Sequence, residues 1–90
     1  MARVDEPVSV VMSPDGWPLR IEWRSQQFRV TDVPTRLGTF PDLVLEFVTH
    51  PPRGSVGWRF QGTDDLGISH VFDITRDPSR DQWLLRRTYD

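Results

Sequence analysis

An all-β fold is what this chain of 90 residues predicts: an antiparallel, strongly bent sheet of five to seven strands, closed into a small barrel or roll. Three observations lead there. Apolar and polar residues alternate in short runs, the period of a strand with one buried face. Most of the eight Pro and six Gly fall between those runs, where turns belong. Hardly any window carries apolar residues at the three-and-four spacing of an amphipathic helix.

Seven runs can be marked, over residues 8–12, 17–24, 27–33, 43–49, 55–61, 69–75 and 82–89. Their spacing is that of a meandering sandwich or small barrel, SH3-like in style. Pro14, Asp15 and Gly16 carry the chemistry of a tight turn and predict a hairpin between the first two runs: Pro pre-sets φ, Asp bonds its own backbone, and Gly accepts positive φ. Ser25 and Gln26 form a weaker turn between two strongly alternating runs. Residues 50–54, 62–67 and 76–80 connect the later ones, and residues 32–42 are long enough for a lid, a crossover or a short helix. Alternation points Trp17, Leu19, Ile21 and Trp23 inward with Phe28 and Val30, and Arg20, Glu22, Arg24, Gln27 and Arg29 outward. It also buries Val56, Trp58, Phe60, Phe72, Ile74, Trp83, Leu85 and Tyr89. The core is expected to centre on Trp23, Phe28, Val30, Trp58, Phe72, Trp83 and Leu85.

Length predicts one domain over residues 1–90, with residues 1–6 as a flexible tail. A chain this short buries only about 60–65% of its unfolded surface, so four Trp and five Phe are needed inside. The absence of cysteine excludes a disulfide framework and a thiolate metal cluster, and suits a reducing cytoplasm. The start lacks the apolar run of a signal peptide, and no segment approaches the roughly 18 apolar residues of a spanning helix, so no membrane partner is expected. A net charge of −2 argues against a protein that coats DNA indiscriminately. All eleven basic residues are arginine, however, and they are unevenly spread: residues 17–62 hold six against four acids, whereas residues 63–90 hold four against six.

The runs PVSVVMSPDGWPLRIEWRSQQFRVTDV (7–33) and DQWLLRRTYD (81–90) resemble a small actinobacterial domain family of unknown function. The matching positions are Asp15, Gly16, Pro18, Trp23, Arg24, Phe28, Arg29, Val30, Trp58, Arg59, Trp83, Leu85, Arg87, Tyr89 and Asp90. About two thirds of the chain is covered. Such domains occur alone or at the C-terminus of proteins related to Y-family translesion polymerases, which implies a link to DNA repair without assigning an activity. The family's middle, rich in Trp and acids, is replaced here by TRLGTFPDLVLEFVTHPPRGSVG.

No catalytic constellation is legible, and no enzyme, cofactor or metal is expected. His70 near Asp64 and Asp65 matches no metal-ligand spacing, His50 sits beside a Pro-Pro turn, and acids in a turn are common for solvation. Gly54, Gly57 and Gly62 precede no helix and no Lys exists, which excludes a phosphate loop. Two functions remain. The first is an accessory or protein-interaction module, its partner another protein, engaged through an edge strand or the 32–42 connection. The alternative is a weak nucleic-acid-binding barrel that uses Arg20, Arg24, Arg29 and Arg59 on a strand face, with Phe40 or Phe47 as stacking platforms. Glu22 stands within that cluster and is expected to pair with Arg20, Arg24 or Arg29.

Overall fold

The computed structural model describes residues 2–37, 57–77 and 79–89. They form seven β-strands and no helix: β1 (Ala2–Met12), β2 (Pro18–Trp23), β3 (Gln26–Val30), β4 (Thr35–Leu37), β5 (Gly57–Thr63), β6 (Ser69–Asp77) and β7 (Gln82–Tyr89). Neighbours pair antiparallel in the order β3-β2-β1-β7-β6-β5-β4. β3 also pairs with β5, Arg29 opposite Thr63 and Val30 opposite Gly62. That pairing closes six strands into a small barrel and leaves β4 as an extra strand on the rest of the same edge of β5, with Arg36 opposite Trp58. The expected all-β small barrel is what forms. The expected strand at 43–49 and residues Phe40, Phe47, His50 and Val56 lie outside the described residues, and the run at 55–61 is found as β5, ending at Thr63.

One edge of β5 is thus shared by β3 and β4, and the chain bends between them. At the bend the Thr31 amide donates to the Gln61 carbonyl at 2.9 Å, and the Gln61 amide donates to the Asp32 carboxylate at 2.8 Å. A side chain stands in where the ladder lacks a carbonyl, so the backbone stays satisfied. This places the start of the 32–42 connection on the barrel wall.

The core follows from alternation. Val8, Ile21, Phe28, Trp58, Phe60, Phe72, Ile74 and Leu85 are buried, and Val4, Val10, Trp23, Val30 and Trp83 pack around them. Four of the seven residues expected at the centre are fully inside; Trp23, Val30 and Trp83 rim it instead. Burial of each large side chain contributes about 1.5–3 kcal/mol. Phe72 anchors the cluster, edge-on to Phe28 at 4.9 Å and tilted against Phe60 at 5.9 Å. Its ring lies directly on the backbone of Gly62, where a Cβ would sit 2.7 Å from the ring edge.

Residues 2–6, expected within a flexible tail, are instead the first half of β1, with Ala2 opposite Thr88 and Glu6 opposite Leu85. Val4 packs on the core, which gives this charged segment an apolar anchor.

Bulges break the alternation at two corners and overturn three expected inward positions. On β2, Met12 faces Pro18 but Val11 faces Arg20, so Leu19 is an extra residue. Pro18 is consequently buried, while Trp17 and Leu19 are 44% and 50% exposed. A proline at the start of a strand, with no amide to donate, suits such a bulge. On β7, Ile74 faces Leu85 but Asp73 faces Arg87, leaving Arg86 extra. The shift puts Tyr89 on the outer face with Asp73, not in the core. A matching irregularity on β1 holds Asp5 at φ 53°, and Arg86 donates to Asp5 across it at 3.0 Å. Paired bulges bend adjacent strands together, as closing a small barrel requires. No helix among the described residues is long and apolar enough to cross a membrane.

Candidate functional site

The β1–β2 turn has the expected chemistry. Gly16 donates to the Ser13 carbonyl at 3.0 Å and the Ser13 amide to the Trp17 carbonyl at 2.7 Å. Gly16 takes φ 89°, and the Trp17 amide donates to Ser13 Oγ at 2.9 Å. This is a three-residue hairpin loop, a turn followed by a left-handed glycine. Its tightness, together with the Leu19 bulge, turns Trp17 out of the β2 face and over the end of the barrel.

There Trp17 meets Trp58, with ring centroids 5.4 Å apart and planes inclined by 47°. An open groove of about 520 Å³ lies at this end, lined by Met12, Asp15, Trp17, Pro34, Trp58 and Trp83, with Gly16 and Arg36 completing it among the described residues. Three indoles from three separate strand ends therefore converge. Trp58 is the second residue of β5, Trp83 the second of β7, and Trp17 precedes β2. Guanidinium groups already cover two of the rings: Arg36 lies 5.9 Å over Trp58 and Arg76 lies 5.8 Å over Trp83. Asp15 contributes a carboxylate at the mouth. Apolar walls with a few polar groups are the composition of a recognition site. Alternation assigned all three indoles to the core, so the groove was not legible from it; the Trp-Pro pair before the bulge was the available signal.

The four arginines singled out from the sequence are not gathered in one patch. Arg20 and Arg29 face each other across β2 and β3, both exposed, and neither has an ion-pair partner among the described residues. Arg24 lies at the far hairpin and is held by Glu6, through Nε at 3.1 Å and Nη2 at 2.5 Å. Its guanidinium also stacks 4.5 Å over Trp23, whose indole N–H donates to the same Glu6 at 3.1 Å. These donors hold the Glu6 carboxyl below the ordinary carboxylate range, Arg24 first and Trp23 second. Arg59 is tied to Asp73 by two bonds, 2.7 and 3.0 Å. Tyr89 completes that network, its hydroxyl donating to Asp73 at 2.8 Å and lying 3.1 Å from Arg59 Nη2. The hydrogen bonds to Asp73 raise the Arg59 pKa above its already high value. Glu22 forms none of the expected ion pairs with Arg20, Arg24 or Arg29 among the described residues; its cross-strand neighbours are Ser9 and Gln27.

Asp64 is not a solvating loop acid but a buried organiser of the β5–β6 turn. It accepts from the amides of Leu66 and Ile68, each at 2.9 Å, and from Gln26 Nε2 at 2.9 Å. His70 sits edge-on to Phe28 at 6.2 Å. Among the described residues no three His, Asp or Glu side chains converge as a metal centre requires.

Comparison with protein-family models, with curated proteins and with solved structures finds no match to this chain.

Proposed function

We propose that the protein is an accessory recognition module that holds another macromolecule and performs no bond chemistry, with the tryptophan groove as its contact surface. One observation carries this reading: an indole that could have been buried is left half exposed, on top of a second indole, at the rim of an open apolar groove. A small domain gains most by burying its aromatics, so an exposed Trp backed by rigid neighbours is a surface shaped for contact. The resemblance of residues 7–33 and 81–90 to the family found with translesion polymerases adds a DNA-repair setting to this proposal.

The test uses the indole N–H signals of the four tryptophans in a two-dimensional NMR spectrum. A panel of short oligonucleotides and proline-rich peptides is added in turn. A ligand of the groove shifts Trp17, Trp58 and Trp83, while Trp23, bonded to Glu6 at the other end, stays in place and serves as internal control. Shifts confined to surfaces away from the groove would remove it as the contact site.

A further inference from the structure

We infer that the occupant of the groove is an unpaired stretch of nucleic acid, its bases stacked on Trp17 and Trp83 and its phosphates held by Arg20, Arg29 and Arg36. The inference rests on the groove being the contact surface and names the chemistry that fills it. Charge distribution is what selects this class. Of the described arginines, Arg3, Arg24, Arg59, Arg76, Arg80 and Arg86 are each engaged by an Asp or Glu. Arg20, Arg29, Arg36 and Arg87 have no such partner among the described residues. Three of those four lie on β2, β3 and β4, the strands that run up to the groove. Arg36 lines it, Arg20 follows Trp17 by three positions, and Arg29 is the cross-strand neighbour of Arg20. The molecule is acidic overall, yet three of those four uncommitted arginines lie on the strands beside the exposed Trp17 and the half-buried Trp83.

The stacking geometry narrows the ligand further. An aromatic cage for a quaternary ammonium or a basic side chain needs open ring faces, but Arg36 and Arg76 already occupy faces of Trp58 and Trp83. A second cation would meet like charge there. A neutral planar ring with an anionic backbone meets instead an indole, a guanidinium plane and free positive charge. Bases held in a duplex cannot offer their faces, so the strand is single. Asp15 at the mouth is an acceptor for the N–H groups of a base edge, a role open to an acid in such a site. Glu22 shares the outer face with Arg20 but lies further down β2, away from the groove.

The experiment titrates the full chain with a labelled single strand of about eight nucleotides and with the matching duplex. Intrinsic tryptophan fluorescence and anisotropy are read between about 50 and 200 mM salt. The single strand is expected to bind and quench, and the duplex to bind more weakly. Three phosphate contacts give a log–log salt slope of about −2. Arg20→Gln with Arg29→Gln, both exposed and unpaired, should flatten it by about 1.4, whereas Arg87→Gln leaves it unchanged. Trp17→Leu should weaken binding by about 5- to 150-fold, the range for losing one stacked base. Each variant is first shown to melt cooperatively; should Trp17→Leu fail to fold, the arginine pair still decides. No binding of the single strand at low salt overturns the inference. If a proline-rich peptide then shifts the groove indoles, the groove remains the contact surface and only its ligand was misassigned. Single-strand binding that is indifferent to Trp17 and equalled by the duplex overturns both readings, since it needs only the arginines.

Discussion

Gly62 is where the barrel closes, and its backbone has no room for a side chain. A Cβ there would lie 2.7 and 2.9 Å from two atoms of the Phe72 ring and 3.1 Å from Phe28 Cβ, against an ordinary carbon–carbon contact of about 3.5–4.0 Å. The ring must therefore retreat by nearly 1 Å. It has nowhere to go, since Phe72 is fully buried and touches Phe28, Phe60 and Trp23 on its other sides. Forcing a methyl into such a core costs about 1–3 kcal/mol. Replacing glycine restricts the unfolded chain and returns about 0.4–1 kcal/mol, so Gly62→Ala should lose about 1–2 kcal/mol net. Urea unfolding followed by tryptophan fluorescence measures it as a lower midpoint at unchanged slope. A control isolates the cause: Phe72→Leu destabilises by itself, but in that background Gly62→Ala should cost at least about 1 kcal/mol less, because the ring edge is gone. A variant as stable as the parent, or an equal cost in both backgrounds, would refute this account of closure.

Three further outcomes are expected. Tyr89→Phe removes a hydroxyl that donates to the buried Asp73 and should cost about 1–2 kcal/mol in the same urea assay; a neutral result would mean that Arg59 alone satisfies the carboxylate. The β2–β3 turn holds Arg24 at φ 53° and Ser25 at φ 63°, so Ser25→Gly should raise stability by about 0.5–1 kcal/mol, read as a higher midpoint, and a fall would show that the serine has a contact worth more than the strain. Glu6 has its folded pKa lowered from 4.5, so its ion pair contributes stability above that value and loses it as pH falls through the lowered one. The urea-midpoint gap between the parent and Glu6→Gln should be constant near neutrality and narrow below pH 4.5; a gap that ignores pH would place the contribution elsewhere.

The barrel was legible because period-two alternation and turn chemistry agree over most of the described chain. Gly16 takes the positive φ that Pro14-Asp15-Gly16 implied, and Ile21 with Phe28, and Ile74 with Leu85, face each other as inward pairs. What alternation cannot register is an inserted residue. Past Leu19 and Arg86 every parity reverses, which is why Trp17 and Tyr89 were assigned to the wrong face. The β2–β3 turn was misplaced by one residue because nothing local announces that an Arg and a Ser will both take left-handed conformations. Site residues were harder still. An arginine's freedom depends on which acid the fold brings to it, and the partners of Arg24 and Arg59, Glu6 and Asp73, are distant in sequence. Arg36 was passed over because its significance lies in facing Trp58 across the β4–β5 pairing, which only the folded sheet reveals.

The β1–β7 seam has a kinetic meaning. β1 and β7 stand at opposite ends of the described chain, yet Ala2 lies opposite Thr88 and Val8 opposite Trp83. The meander β1-β2-β3 can zip locally, but the free side of β1 has no partner until β7 arrives, and β7 is useful only after β5 and β6 have brought it round. Topologies dominated by such distant pairings fold in the millisecond-to-second range. During that interval the edge of β1 is unpaired, as an exposed sheet edge is. Strand exchange between copies at high concentration, if it occurs, is expected at this same pairing.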